Sequence, residues 1–170
     1  MRTIKIIAYK FDELSEDAQN KAIEYFSDIN VNEEWWESTY EDAANIGLKI
    51  TSSDIDRQHI DGEFTLSAIE VYQNVVNNHG EICDTFKTAE KFKLDWQPIF
   101  DSYMNEDSEE YENPELESKL LDTENYFLEQ LLQDYLCLLR EEYEYQTSFE
   151  AIKETLICNK YEFTESGEVI

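Results

Sequence analysis

Glycine and proline are scarce in this chain, with four and two in 170 residues. So few turn-formers argue against many tight hairpins and predict a helix-rich chain. Four glycines also leave little room for a phosphate cradle, and none of G-x-x-x-x-G-K-[ST], G-x-G-x-x-G or G-x-S-x-G occurs. Histidine is nearly absent, with only His59 and His79. Cys83, Cys137 and Cys158 are odd in number and far apart, and no C-x-x-C joins them. That pattern fits reduced thiols in a cytoplasmic protein. No apolar run approaches the ~20 residues of a membrane span, and no apolar h-region marks a signal peptide.

Positive charge is the largest deficit. Thirteen Lys and Arg face 40 Asp and Glu, for a net charge of −27 and a pI near 4.1. Self-repulsion of this size opposes folding and is screened by salt. It excludes direct binding to nucleic acid or to an anionic membrane, which are themselves polyanions. Basic protein surfaces and cations remain as partners. Hydrophobic residues make up 41% and aromatics 14%, enough for a true core despite the charge.

The patterning predicts an α+β fold, helix-rich, with helices on one face of a small antiparallel or mixed sheet. Thr3 to Tyr9 reads as a strand with Ile4, Ile6 and Ala8 on one face. Ser15 caps a helix carrying Leu14, Ala18, Ala22 and Phe26 at i+4 steps, widened by Tyr25 and Ile29. A second helix is expected over Asn32 to Ile46, with Trp36, Tyr40 and Ala43 on one face and Gly47 as its C′ residue. Leu48 to Asp56 alternates like a strand, Arg57 to Gly62 reads as its turn, and Glu63 to Ser67 as the returning strand. Ala68 to Asn78 is helical, as is Thr85 to Tyr103, where Pro98 is expected to break or bend the helix. The longest helical pattern runs from about Glu115 to Tyr143, with leucines from Leu116 to Leu139 on a broad apolar face. Ser148 to Cys158 gives a short last helix, and the tail a hairpin or added strand. Residues 1–90 form an α+β part and residues 91–170 an acidic, mainly helical part, packed as a single domain.

Chemistry is sparse. His79 and Cys83 make half a metal site at best, and nothing nearby completes a tetrahedral set. A histidine complementing a helix C-terminus is the simpler reading. Asp54, Asp56, His59 and Asp61 are the best carboxylate cluster for a hard cation. Their order does not match a calcium loop, and a hairpin tip with Arg57 paired to a neighbouring aspartate explains them better. No cofactor and no enzymatic activity are expected. The adjacent Trp35 and Trp36 point about 100° apart on a helix; both are expected at the core or its edge, with the outer one as a contact anchor in the alternative reading.

The acidity is unevenly placed. Residues 1–100 hold 20 acidic and 9 basic side chains, residues 101–144 hold 15 and 2, and residues 145–170 hold 5 and 2. The net charges are therefore −11, −13 and −3. Salt adaptation spreads carboxylates evenly, whereas a binding surface concentrates them. Within the densest segment, NEDSEEYENPELE (105–117), seven of thirteen residues are carboxylates and none is basic. Glu106, Asp107, Glu109, Glu110, Glu112, Glu115 and Glu117 are thus the candidate partner-binding residues, joined by Glu33, Glu34 and Glu37 around the tryptophan pair. Carboxylates three or four positions apart on a helix stand about 5–6 Å apart, a rigid negative row that suits a groove built to hold phosphates.

The block FDELSEDAQNKAIEYF, with WWESTYEDAANIGLKITSSDID and NHGEICDTFKTA after it, resembles small acidic proteins of phages and prophages whose N-terminal part is antitoxin-like. The resemblance covers roughly the first 90 residues. It implies a mobile-element origin, the cytoplasm of a bacterial host, and a role in evading host defence, as anti-CRISPR and antirestriction proteins do by mimicking DNA. Together with the charge it gives the expectation of an inhibitor that blocks a basic nucleic-acid channel, most simply of a CRISPR effector. The alternatives are an antitoxin or acidic module that neutralises a basic toxin, and a housekeeping phage protein or a metal-dependent enzyme around Asp54, Asp56 and Asp61.

Overall fold

The computed structural model describes residues 7–104 and 113–170. The fold is α+β and helix-rich, with a two-stranded antiparallel sheet. The described part of the predicted first strand is Ile7 to Tyr9; the rest lies outside the described residues. A 3-10 turn (Phe11–Glu13) leads to α1 (Glu16–Tyr25) and α2 (Glu37–Ile46). Then come β1 (Leu48–Asp54), β2 (His59–Phe64), α3 (Ala68–Asn78), α4 (Asp84–Met104), α5 (Pro114–Gln146) and α6 (Phe149–Cys158). Contacts divide the chain into two compact units, one of Met1–Trp35 with Glu141–Ile170, the other of Trp36–Arg140. Residue 90, expected to separate two parts, falls inside α4.

In the first unit, Ser15 Oγ accepts from the Ala18 amide and fixes the start of α1. Leu14, Ala18 and Ala22 then bury against Phe11, Ile152, Leu156 and Phe163. Tyr25, expected on that stripe, is exposed, while Phe26 and Ile29 pack at its edge. Ser148 caps α6 in the same way as Ser15 caps α1. Tyr9 and Phe163 exchange backbone hydrogen bonds of 2.8 and 2.9 Å, and Phe163 also bridges Val169, so the tail does fold into a small hairpin. Asn30 ties this unit together, donating to the Gln146 carbonyl and accepting from Thr155 Oγ1.

The second unit holds the sheet. Its first helix, α2, starts at Glu37 rather than Asn32. Trp35 packs edge-on against Tyr143 at 5.4 Å instead of entering a helix. Gly47 closes α2 at φ 91°, the left-handed C′ position that glycine adopts without strain. The expected β-turn also moves. β1 stops at Asp54 because that side chain accepts from the Arg57 amide at 2.9 Å, nucleating the turn over Ile55 to Gln58. Asp56 therefore lies in the turn, not on a strand face with Asp54, and β2 begins at His59 rather than Glu63.

Gly62 is consequently not a turn residue. It pairs with Ile50 in mid-sheet, where an added Cβ would lie 2.7 Å from the Lys49 carbonyl and 2.8 Å from Leu132 Cδ2. The glycine lets α5 approach the strands closely. Two strands alone are not stable in water. Leu48, Ile50 and Ile60 bury the inner face, and Phe64 meets Phe127 of α5 at 5.4 Å. Pro98 does not end α4, which continues to Met104. Proline deprives the Leu94 carbonyl of its helical partner, and Leu94 is exposed, so water can serve that carbonyl.

Gly62→Ala should destabilise the protein by about 1–3 kcal/mol through overpacking. Chemical denaturation measures this, and an unchanged midpoint would refute the close approach of α5.

Candidate functional site

The strongest sequence candidates divide on the structure. Glu106, Asp107, Glu109, Glu110 and Glu112 lie outside the described residues. Glu115 and Glu117 occupy the first turn of α5 and are exposed. Asn113 Oδ1 accepts from the amides of Glu115 and Leu116, both at 3.2 Å, which starts the helix one residue before Pro114. Carboxylates at this end are favoured by the helix dipole. Lys119 donates to Glu115 at 2.7 Å and holds its carboxyl below the usual range. Glu33 and Glu34 are exposed in the bend after Val31 and belong to the first unit, whereas Glu37 opens α2 in the second. The structure therefore brings Glu115 and Glu117 together on one helix and leaves Glu37 on another element.

Along the outer ridge of α5, Glu115, Asp122 and Glu129 recur every seventh residue, about 10.5 Å apart. Lys119, Asn125 and Tyr126 fill the turns between them. This ridge is sparser than a row at every turn, so the dense charge is that of residues 105–117. The cations add little opposing field. Lys21, Lys49, Arg57, Lys87, Lys119 and Lys153 each sit within 4.0 Å of a carboxylate. Lys91 and Lys93 lie over the rings of Tyr126, Tyr72 and Trp96.

The aspartates of the β1–β2 tip are occupied among themselves. Arg57 pairs with Asp54 at 3.6 Å, as the sequence indicated, and His59 Nε2 lies 2.9 Å from Asp61 Oδ2. Among the described residues no group of three or more His, Cys, Asp or Glu is arranged to hold a metal ion.

One polar cluster escaped the sequence reading. His79 does not face Cys83, which is exposed. Its Nδ1 shares a 2.7 Å hydrogen bond with Thr85 Oγ1, and its Nε2 lies 3.6 Å from Asp42, to which Tyr135 donates at 2.8 Å. The order Thr–His–Asp resembles an activated nucleophile. Thr85 is only 3% exposed, so this hydroxyl offers no approach to a reacting carbon. Burial, then the Asp42 hydrogen bond, pushes the Tyr135 phenol far above its ordinary range. Asp134 sits nearby, with Oδ2 buried and lacking a hydrogen-bond partner. Burial raises its carboxyl above the ordinary value and the Asp84 charge adds to this; Thr88 and Lys87 oppose it. No spacing in sequence links positions 42, 79, 85, 134 and 135, so only the fold reveals the cluster.

No family model, no curated protein and no solved structure matches the chain. Among the described residues no helix is long and apolar enough to cross a membrane.

A carboxyl whose value is raised on folding adds stability when protonated and loses it as pH rises through that raised value. Asp134→Asn should therefore raise the melting temperature near pH 7. The gain should fade as pH falls below the ordinary carboxyl value of 3.8, where the aspartate is protonated in the folded and the unfolded chain alike. Thermal melts across this range check it; a variant less stable at pH 7 and equal at low pH would contradict the sign.

Proposed function

We propose that this protein is a non-catalytic inhibitor that occupies a basic nucleic-acid channel of a bacterial defence nuclease, most simply a CRISPR effector, and blocks entry of DNA. The observation that carries this reading is the concentration of −13 in residues 101–144 while neighbouring lysines are spent on local partners. A channel lined with Lys and Arg is selected to bind phosphates, and an acidic helix with an acidic segment before it competes for the same cations. Such encounters are fast and weaken with salt. The phage-like blocks in the first 90 residues are consistent with a protein that acts inside a bacterial host. An enzyme is not needed for this action, because occupancy alone prevents cleavage.

The test uses guide-loaded CRISPR effectors and labelled target duplex in a mobility-shift assay. The wild-type protein should displace DNA from at least one effector. Glu109→Lys, Glu110→Lys and Glu112→Lys combined should abolish the effect while leaving the circular dichroism unchanged. Displacement that persists undiminished in the triple variant would sink the idea, as would a full panel of effectors that keep their DNA.

A further inference from the structure

α4 and α5 run antiparallel, since Phe92 stacks on Phe127 at 4.2 Å and, further along, Trp96 Nε1 donates to Glu124 at 3.1 Å. Burial stops abruptly at that point. The last buried residue of α4 is Trp96, and the first buried residue of α5 is Phe127. The segments beyond, Gln97 to Met104 and Pro114 to Tyr126, are about 12 and 20 Å of helix. They form an arm with no fully buried side chain among its described residues.

The arm is not polar. Ile99, Phe100, Tyr103, Leu116 and Leu120 are half-buried and continue, at helical spacing, the stripes of Phe92 and Trp96 on α4 and of Phe127 on α5, which defines the seam. Met104 and Leu121 are 64% and 57% exposed. Two helices pressed together bury only one stripe of each, and a third element is needed to close such a seam. Exposed apolar surface rimmed by charge marks a site of association.

Charge selects the occupant. The described residues of the arm, 97–104 and 113–126, hold five carboxylates and one basic residue, Lys119, for a net −4. Lys119 itself is paired with Glu115. A second copy would set one −4 arm against another. Nucleic acid and anionic lipid are excluded on the same ground. A partner must offer apolar side chains on one side and Lys or Arg on its flanks, in a form that fits a groove between two helices. We propose that the α4–α5 arm is a docking site for a basic amphipathic helix of a partner protein, its apolar face seated on the seam and its cations meeting the acidic rim. The site stands whether or not the partner is a nuclease.

A synthetic Leu/Lys peptide of about 18 residues, patterned as an amphipathic helix, is the probe. Its control has the same composition, scrambled so that leucines no longer share a face. Calorimetry at about 0.05 and 0.5 M salt separates screened charge from apolar contact. The patterned peptide should bind the intact protein at both salt concentrations, and the scrambled one only at the lower. Met104→Ser with Leu121→Ser should weaken the patterned peptide by about ten-fold. Both side chains are largely exposed, so helix content should not change; if it does, Leu121→Ser alone carries the comparison. Equal binding of the two peptides, absence of binding, or an unaltered affinity in the serine variants overturns the proposal. So does a wild-type dimer in sedimentation that the serine variants dissolve. Loss of nuclease inhibition with peptide docking intact would instead count against the inhibitor reading alone.

Discussion

The second unit depends on the ring of Phe127. It stacks on Phe92 of α4, tilts against Phe64 of β2, and sits just over one turn before Leu132, which meets the sheet at Gly62. Phe92 in turn touches Tyr72 of α3 and Trp96. Four elements therefore meet around two rings. A two-stranded sheet and an eleven-residue helix such as α3 are each too small to hold their shape alone. Aromatic contacts of this geometry add about 0.5–1.5 kcal/mol beyond the area they bury. Gly62 belongs to the same arrangement, because a side chain there would push α5 away from the strands and lift Phe127 off Phe64.

The aromatic cluster also sets where acidity can be tolerated. Repulsion among 40 carboxylates must be offset by apolar burial close by. Where burial is complete, around Phe92, Phe127 and Tyr135, cations lie locally: Lys87 on Asp84, Lys91 over Tyr126, Lys93 over Tyr72 and Trp96. Where burial ends, past Trp96 and before Phe127, cations almost vanish as well, and Lys119 remains. The two gradients coincide on one pair of helices. A segment that gives up both packing and charge balance contributes little to folding, and association is a physical use for it.

Much of this fold was legible from local rules. Ser15 and Ser148 stand where helix caps are needed, Gly47 where a left-handed residue is needed, and the leucines of α5 repeat at helical spacing. The failures share a cause. Asp54 stops β1 through a side-chain hydrogen bond to the Arg57 amide, a choice that strand alternation does not encode. Trp35 leaves the helix pattern for Tyr143, more than a hundred residues away in sequence. Gly62 looked like a turn glycine because one of its true constraints, Leu132, is also remote in sequence. The site divides in the same way. The acidic excess is a property of composition and could be counted. The seam along Ile99, Phe100 and Leu120 needed the point at which burial stops, and the Asp42–His79–Thr85–Tyr135 cluster needed four elements brought together.

Charge and apolar contact do different work in an encounter. Exposed carboxylates act over about one Debye length, roughly 8 Å at physiological salt, and draw in a basic partner before any contact forms. They hold it poorly, because an exposed ion pair contributes only about 0–1 kcal/mol. Retention comes from surface removed from water, near 25 cal/mol per Å2. An acidic arm with a wholly polar seam would bind basic proteins quickly, release them quickly, and discriminate little among them. Apolar side chains between the carboxylates change this, since a partner must match their spacing as well as the charge. On the proposed docking, the carboxylates of residues 101–144 would govern how fast a partner arrives, and the seam between α4 and α5 which partner stays.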